Sequence, residues 1–340
     1  MVGETSRSSM DTLRGLACLL LVAFHVVGGD TTGLRLESSH VAREINEWLA
    51  LVRMPLFSFL SGIVYARRPL RGEVARFARG KVRRLLVPML LVGTAFAVLQ
   101  SVVPGANGGR YDWSLLHIVP VSHYWFLPAL FWIFMLVALL DRAGILSSAH
   151  GFTAIGLAAA VLFADGRGLP VHFGLRGAAY LLPFFLAGLG AVRFGQILLS
   201  RRAQVVLALV ALLVLLRWSF TAIPVRSAYE ELTVSLCACT LLLQVNLKVH
   251  WLMWIGRWSF GIYLFHPVFS AASRIVLSNL GVSSVPLLFS AGLVVGLAGS
   301  MALTSALRRV PYAHWSVGER PARAQADDGG EDENGRPKPA

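Results

Sequence analysis

Charge is what this 340-residue chain has little of: Asp, Glu, Lys and Arg make up 14% of it, against about 25% in soluble domains. With 56% apolar residues and a mean hydropathy of +0.64, that shortage excludes an ordinary globular enzyme held in solution. Acid is scarcer than base, with 18 Asp and Glu facing 31 Lys and Arg. The excess does not describe a nucleic-acid binder, because the cations sit between long apolar runs and not on a polar surface chain, so no nucleic-acid partner is expected. Cysteine is nearly absent. Cys18, Cys237 and Cys239 all lie inside apolar runs, which excludes a disulfide framework or a zinc motif and leaves small buried hydrophobes. No metal is expected, and neither an internal repeat nor room for a second soluble domain is found.

What the chain has is long apolar runs. A helix needs about 20 apolar residues to cross about 30 Å of hydrocarbon. Ten runs meet or approach that length, at 13–30, 48–66, 85–104, 124–141, 152–165, 176–195, 204–222, 229–246, 254–273 and 285–306. The expected fold class is all-α, a polytopic membrane helical bundle of about ten transmembrane helices occupying residues 1–315. The first run has no small-residue cleavage site behind a short apolar region, so it reads as an uncleaved span. Between the second and third runs Arg67, Arg68, Arg71, Arg76, Arg79, Lys81, Arg83 and Arg84 face a single acid, Glu73. The positive-inside rule puts that loop in the cytoplasm. Ten spans then place both termini there too, in a multi-pass protein of the cell inner (plasma) membrane. Residues 316–340 are rich in Gly, Pro, Asp, Glu and Arg and cannot bury enough surface to order themselves, so a disordered cytoplasmic tail is expected.

Ionisable groups inside spans cost about 2.5–3.5 kcal/mol each on the insertion scale and are functional candidates for that reason. In the first span Arg14 and His25 are eleven residues apart, which at about 100° per residue puts them on one face, about 16 Å apart along the axis. A neutral imidazole there can take a proton from a hydroxyl and return it, while Arg14 holds an anionic group at the inner mouth through paired N–H donors. Asp11 stands where it can cap the helix or orient Arg14. The competing reading of His25 is a satisfied core histidine.

In the ninth span Ser259, Tyr263 and His266 form a polar stripe ending at Pro267. His266 either faces His25 or merely satisfies backbone at the proline kink. Lys81, Arg83 and Arg84 open the third span, where they serve as topogenic charge, as phosphate ligands, or as both. His123-Tyr124-Trp125-Phe126 opens the fourth span, where aromatic residues gather at the interface; substrate stacking is the functional alternative.

Taken together, Asp11, Arg14 and His25 in the first span resemble the membrane-bound acyltransferase 3 family, whose signature there is an arginine, ten intervening residues and a histidine. The likeness continues in Met54-Pro55-Leu56-Phe57 with Leu60-Ser61-Gly62, in Lys81 to Arg84 before Pro88, in Trp125-Phe126-Leu127, and in Gly256, Ser259, Tyr263 and His266-Pro267. The resemblance implies a ten-span core that moves an acyl group from acyl-CoA, usually acetyl-CoA, onto a hydroxyl of a carbohydrate or glycolipid, with membrane lipid as its surroundings. The pattern is closest to the short sugar O-acetyltransferases that lack an appended esterase-like domain. It implies His25 as general base, Ser259, Tyr263 and His266 as groups that orient the acceptor or stabilise an oxyanion, and Arg14, Lys81, Arg83 and Arg84 as ligands of the donor phosphates. Lys81 departs from the family's basic motif, which begins with arginine, and so offers a point charge in place of a bidentate fork. The competing function is a transporter or flippase of a lipid-linked sugar, although no paired halves with matching broken helices are visible. A third reading is a non-catalytic scaffold.

Overall fold

The structure, a computed structural model, describes residues 7–104, 106, 111–220 and 226–318. Among these residues it is helical without strands, and ten helical segments are long and apolar enough to cross a membrane. They are α1 (Arg7–Val27), α2 (Val41–Arg67), α3 (Val74–Lys81) continuing into α4 (Val87–Val102), α5 (Phe126–Arg142), α6 (Ala149–Asp165), α7 (Leu175–Arg193), then after a single turn α8 (Gly195–Leu198), α9 (Arg201–Phe220), α10 (Ala228–Val245), α11 (His250–Arg257) leading to α12 (Ser259–Asn279), and α13 (Val285–Arg309). Each apolar run of the sequence corresponds to one of them. The expected tail beyond residue 318 lies outside the described residues.

Two helices differ from the runs that announced them, each for a local reason. The third begins at Val74, ahead of its apolar run, because the basic stretch is itself helical. It joins α4 through a π turn over Val82–Leu86, in which the Val87 N–H reaches back to the Val82 carbonyl. Pro88 has no N–H with which to continue the α ladder onto Arg84, so the wider turn sits where the regular one fails. The ninth run divides at Trp258, whose backbone leaves the helical region between α11 and α12.

In lipid, helices associate through close packing and not through hydrophobic exclusion, so small residues mark their contacts. Gly15 of α1 and Gly256 of α11 face each other's backbones: a Cβ would lie 2.0 Å from the Leu252 carbonyl oxygen at Gly15 and 1.9 Å from that of Asp11 at Gly256. Gly62 of α2 and Gly188 of α7 repeat the device, with 2.0 Å to the Phe185 oxygen and 1.9 Å to the Phe59 oxygen. These contacts put α1 against α11 and α2 against α7, while α12 packs along α13. α1 also touches α2, α12 and α13 and so lies at the centre of the bundle. By contrast α6 and α9 expose most of their apolar surface, Leu157, Leu209 and Leu213 included, as lipid-facing helices do.

The basic end is tied by a three-helix polar contact. Arg193 donates to both Asp141 oxygens at 2.6 and 2.8 Å, and the Tyr65 hydroxyl donates to Asp141 Oδ2 at 3.0 Å. Glu230, at the start of α10, closes a capping box with Ser227, which explains a carboxylate at a span boundary.

Gly188→Ala is expected to cost about 1–3 kcal/mol by overpacking, whereas Gly156→Ala, whose Cβ would meet nothing within 4 Å, is expected to be neutral or slightly stabilising. Thermal unfolding of both variants in detergent measures the difference.

Candidate active site

The site begins with a missing hydrogen. Pro267 stands inside α12 and has no N–H, so the Tyr263 carbonyl one turn earlier loses its helical donor. A buried carbonyl left alone costs about 1–3 kcal/mol, and here side chains take the place of the backbone. His123 Nε2 lies 3.0 Å from the Tyr263 oxygen, and His266 Nδ1 lies 2.7 Å from the Ile262 oxygen and 3.1 Å from that of Tyr263. The contact is reciprocated. The Tyr263 hydroxyl donates to the His123 carbonyl at 2.6 Å, and the Tyr124 hydroxyl donates to the Leu264 carbonyl at 2.7 Å. A short 3₁₀ turn, Ser122–Trp125, that leads into α5 is thereby fastened to α12 one turn before Pro267.

These bonds assign the tautomers. A ring nitrogen beside a carbonyl oxygen must carry the hydrogen, so His266 is protonated on Nδ1 and His123 on Nε2. The lone pairs then sit on His266 Nε2 and His123 Nδ1, both buried and without a hydrogen-bond partner.

His25 comes to this pair from α1. Its ring centroid is 4.8 Å from that of His266 and 5.6 Å from that of His123, and the latter two are 5.2 Å apart. His25 and Ser122 also stand in the walls of two cavities. One, of about 280 Å³, includes Arg53, Met54, His123, Trp125 and Tyr263 in its lining. The other, of about 440 Å³, is walled mainly by apolar groups of α4 and α12, with Gln100, Tyr111 and Arg274 among its polar members. At its rim the Tyr111 hydroxyl donates to Gln100, and burial raises the Tyr111 pKa above its ordinary value.

Of the residues singled out in the sequence, His25, Tyr263 and His266 are brought together. Ser259 opens α12, about 10 Å along the axis from His266, and lines neither cavity; its carbonyl lies 3.9 Å from the Cys18 sulfur. At the basic end Arg14 donates to Asp11 Oδ1 at 3.0 Å. The Lys81 ammonium sits 3.3 Å from the centroid of the Phe134 ring, Arg84 is exposed and Arg83 half-buried. None of these four cations lines the cavities at His25, so the basic mouth and the histidine cluster are separate places on the molecule. Among the described residues no group of His, Cys, Asp or Glu is arranged to hold a metal ion.

Two residues beside His25 were not placed with it from the sequence. His123 sits at a span end, where its aromatic neighbours suggested an interfacial belt, with substrate stacking as the alternative. Arg53 lies inside the second apolar run, and the rule that intramembrane charges are functional candidates applied to it equally. It is 6% exposed, and its guanidinium carbon is 3.6 Å from the centroid of the Phe24 ring.

Three histidines cluster inside a ten-span bundle, two of them in the walls of adjoining cavities. The chain belongs to the acyltransferase 3 family: the family model described as an acyltransferase domain matches residues 7–305, nearly the whole bundle. It is therefore a membrane acyltransferase. No curated protein and no solved structure matches it.

Tyr263→Phe leaves the buried His123 carbonyl without its donor and is expected to destabilise the protein by about 1–3 kcal/mol, read as a lowered unfolding temperature in detergent.

Proposed function

We propose that the protein is an O-acyltransferase that moves an acyl group, acetyl in the simplest case, from acyl-CoA to a hydroxyl of a carbohydrate or glycolipid in the cell inner (plasma) membrane. The observation that carries this reading is the position of His25, shared between two cavities and beside two further histidines. A transferase needs a base that both reactants can reach, and a residue in two adjoining walls meets that need.

In this reading the thioester occupies the smaller cavity and the acceptor hydroxyl reaches His25 from the larger. His25 takes the hydroxyl proton as the acceptor oxygen attacks the thioester carbon, a general-base step worth about 10²–10⁴ in rate. The lone pair on His266 Nε2, unpartnered beside the His25 ring, offsets the charge His25 gains. Tyr263 and His123 act as positioning residues by tying α12 to the turn before α5. No metal enters the chemistry.

The donor's phosphates would rest on Arg14, Lys81, Arg83 and Arg84 at the basic face, oriented by Asp11, with that face and both termini in the cytoplasm by the positive-inside rule. From Arg14 to His25 the rise is about 16 Å, a span suited to an extended pantetheine arm. Ser259, about 10 Å from His266, then belongs with the path of that arm and not with the acceptor.

Membranes bearing His25→Ala are expected to lose acetyl-CoA-dependent O-acetylation by at least 10²-fold, measured by mass spectrometry of surface glycans and glycolipids as loss of one acyl unit. Undiminished transfer would overturn the assignment. Replacing Arg83 and Arg84 together by Ala is expected to raise the KM for acyl-CoA more than it lowers kcat.

A further inference from the structure

We propose that Arg53 is a catalytic residue which binds the carbonyl oxygen of the acyl thioester and stabilises the negative charge that oxygen acquires during transfer. The inference rests on the acyl-transfer reading above and deepens it.

The argument starts from cost. A guanidinium taken out of water loses several kcal/mol of hydration, and Arg53 is nearly fully buried in the middle of α2. The face of Phe24 returns only part of this, about 2 kcal/mol for a desolvated cation–π contact. Among the described residues lining the 280 Å³ chamber there is no carboxylate, and Nη1 of Arg53 has no hydrogen-bond partner. The remaining compensation must come from what enters the chamber.

Two kinds of guest satisfy an unpaired cation, one that is anionic on arrival and one that becomes so. A carboxylate or phosphate would have to shed its own water to enter a chamber walled by Leu21, Phe24, Met54 and Trp125. A thioester carbonyl arrives neutral. Its oxygen becomes an anion only as the tetrahedral intermediate forms, so the attraction to Arg53 strengthens at the step that needs it, which is the condition for catalysis as opposed to mere binding.

Donor accounting supports the same choice. His25 cannot hold the acceptor's proton as a base and at that moment donate it to the oxyanion. The Tyr263 hydroxyl and the His123 N–H are committed to backbone carbonyls, and the other donors in the wall, Ser122 and Trp125, are neutral and hold a developing anion less strongly than a guanidinium does. Arg53 is the cation in the chamber wall and keeps a free N–H.

The step balances as follows. The acceptor oxygen forms a bond to the thioester carbon, its proton passes to His25, and the carbonyl π pair moves onto oxygen beside Arg53. Collapse restores the carbonyl, breaks the carbon–sulfur bond, and the departing thiolate recovers the proton from His25, giving the O-acyl product and CoA.

The test uses purified full-length wild type, Arg53→Gln and Arg53→Lys in lipid nanodiscs, assayed for CoA release from acetyl-CoA with acceptor-bearing membrane extract, with CoA affinity measured by calorimetry on the same preparations. Arg53→Gln is expected to lower kcat about 10²–10³-fold, with CoA affinity and acceptor KM changed less than about threefold; Arg53→Lys is expected to recover part of the loss. An unchanged kcat, or a raised acceptor KM with kcat intact, overturns the inference and makes Arg53 structural or an acceptor ligand. Should Arg53→Gln fail to fold, Arg53→Lys decides: kcat at least tenfold down with CoA affinity kept supports the role, and wild-type kcat overturns it. Wild type that binds CoA yet transfers nothing sinks the acyl-transfer reading and this inference with it, whereas active wild type matched by Arg53→Gln sinks the inference alone.

Discussion

A carbonyl without its donor, deep in an apolar bundle, organises the centre of this protein. Pro267 deprives the Tyr263 oxygen of its helical partner, and no water stands ready in a membrane interior to replace it. The replacement comes from His123, 140 residues away in sequence, and the Tyr263 hydroxyl answers by bonding the His123 backbone. One local defect thus joins α12 to the turn before α5. It also fixes the orientation of two imidazoles, because each must point its N–H at the backbone. Their other ring nitrogens keep buried, unpartnered lone pairs, and both rings stand beside that of His25.

The rest of the bundle positions α1 against this part of α12. His25 can stand beside His266 only if α1 lies deep among the other helices, and it does so through backbone contacts that a single methyl group would prevent, at Gly15 and Gly256. The same close approach joins α2 to α7 and brings Arg53 to the inner wall. The glycine contacts and the side-chain bonds at Pro267 hold the core helices together, while α6 and α9 present apolar surface to lipid. The arrangement separates a basic end, with Arg14, Lys81 and Arg84, from a polar cluster near the far ends of α1 and α5.

Much of this was legible in the residues themselves. Ten apolar runs became ten spanning helices because bilayer thickness sets a minimum length that composition reveals directly. His25, Tyr263 and His266 announced themselves as polar groups where lipid tolerates few. Ser259 shares a helical stripe with His266, but periodicity reports direction around an axis and says nothing of depth, so it could not separate two groups about 10 Å apart along the helix. His123 was hidden by its interfacial neighbours, and Arg53 by the motif residues that follow it.

The sequence by itself determined the number of spans, the basic face, the family likeness and the identity of the first-span arginine and histidine, since each depends on local composition or on spacing within one helix. Only the tertiary structure decided that His25, His123 and His266 stand together with Arg53 close by, which imidazole nitrogens keep their lone pairs, and that the basic cluster stands apart from them. Those facts depend on which helices meet and at what depth. Such meetings are governed by backbone approach at a few glycines and by the carbonyl that one proline leaves without its helical donor, and these act between segments far apart in the chain.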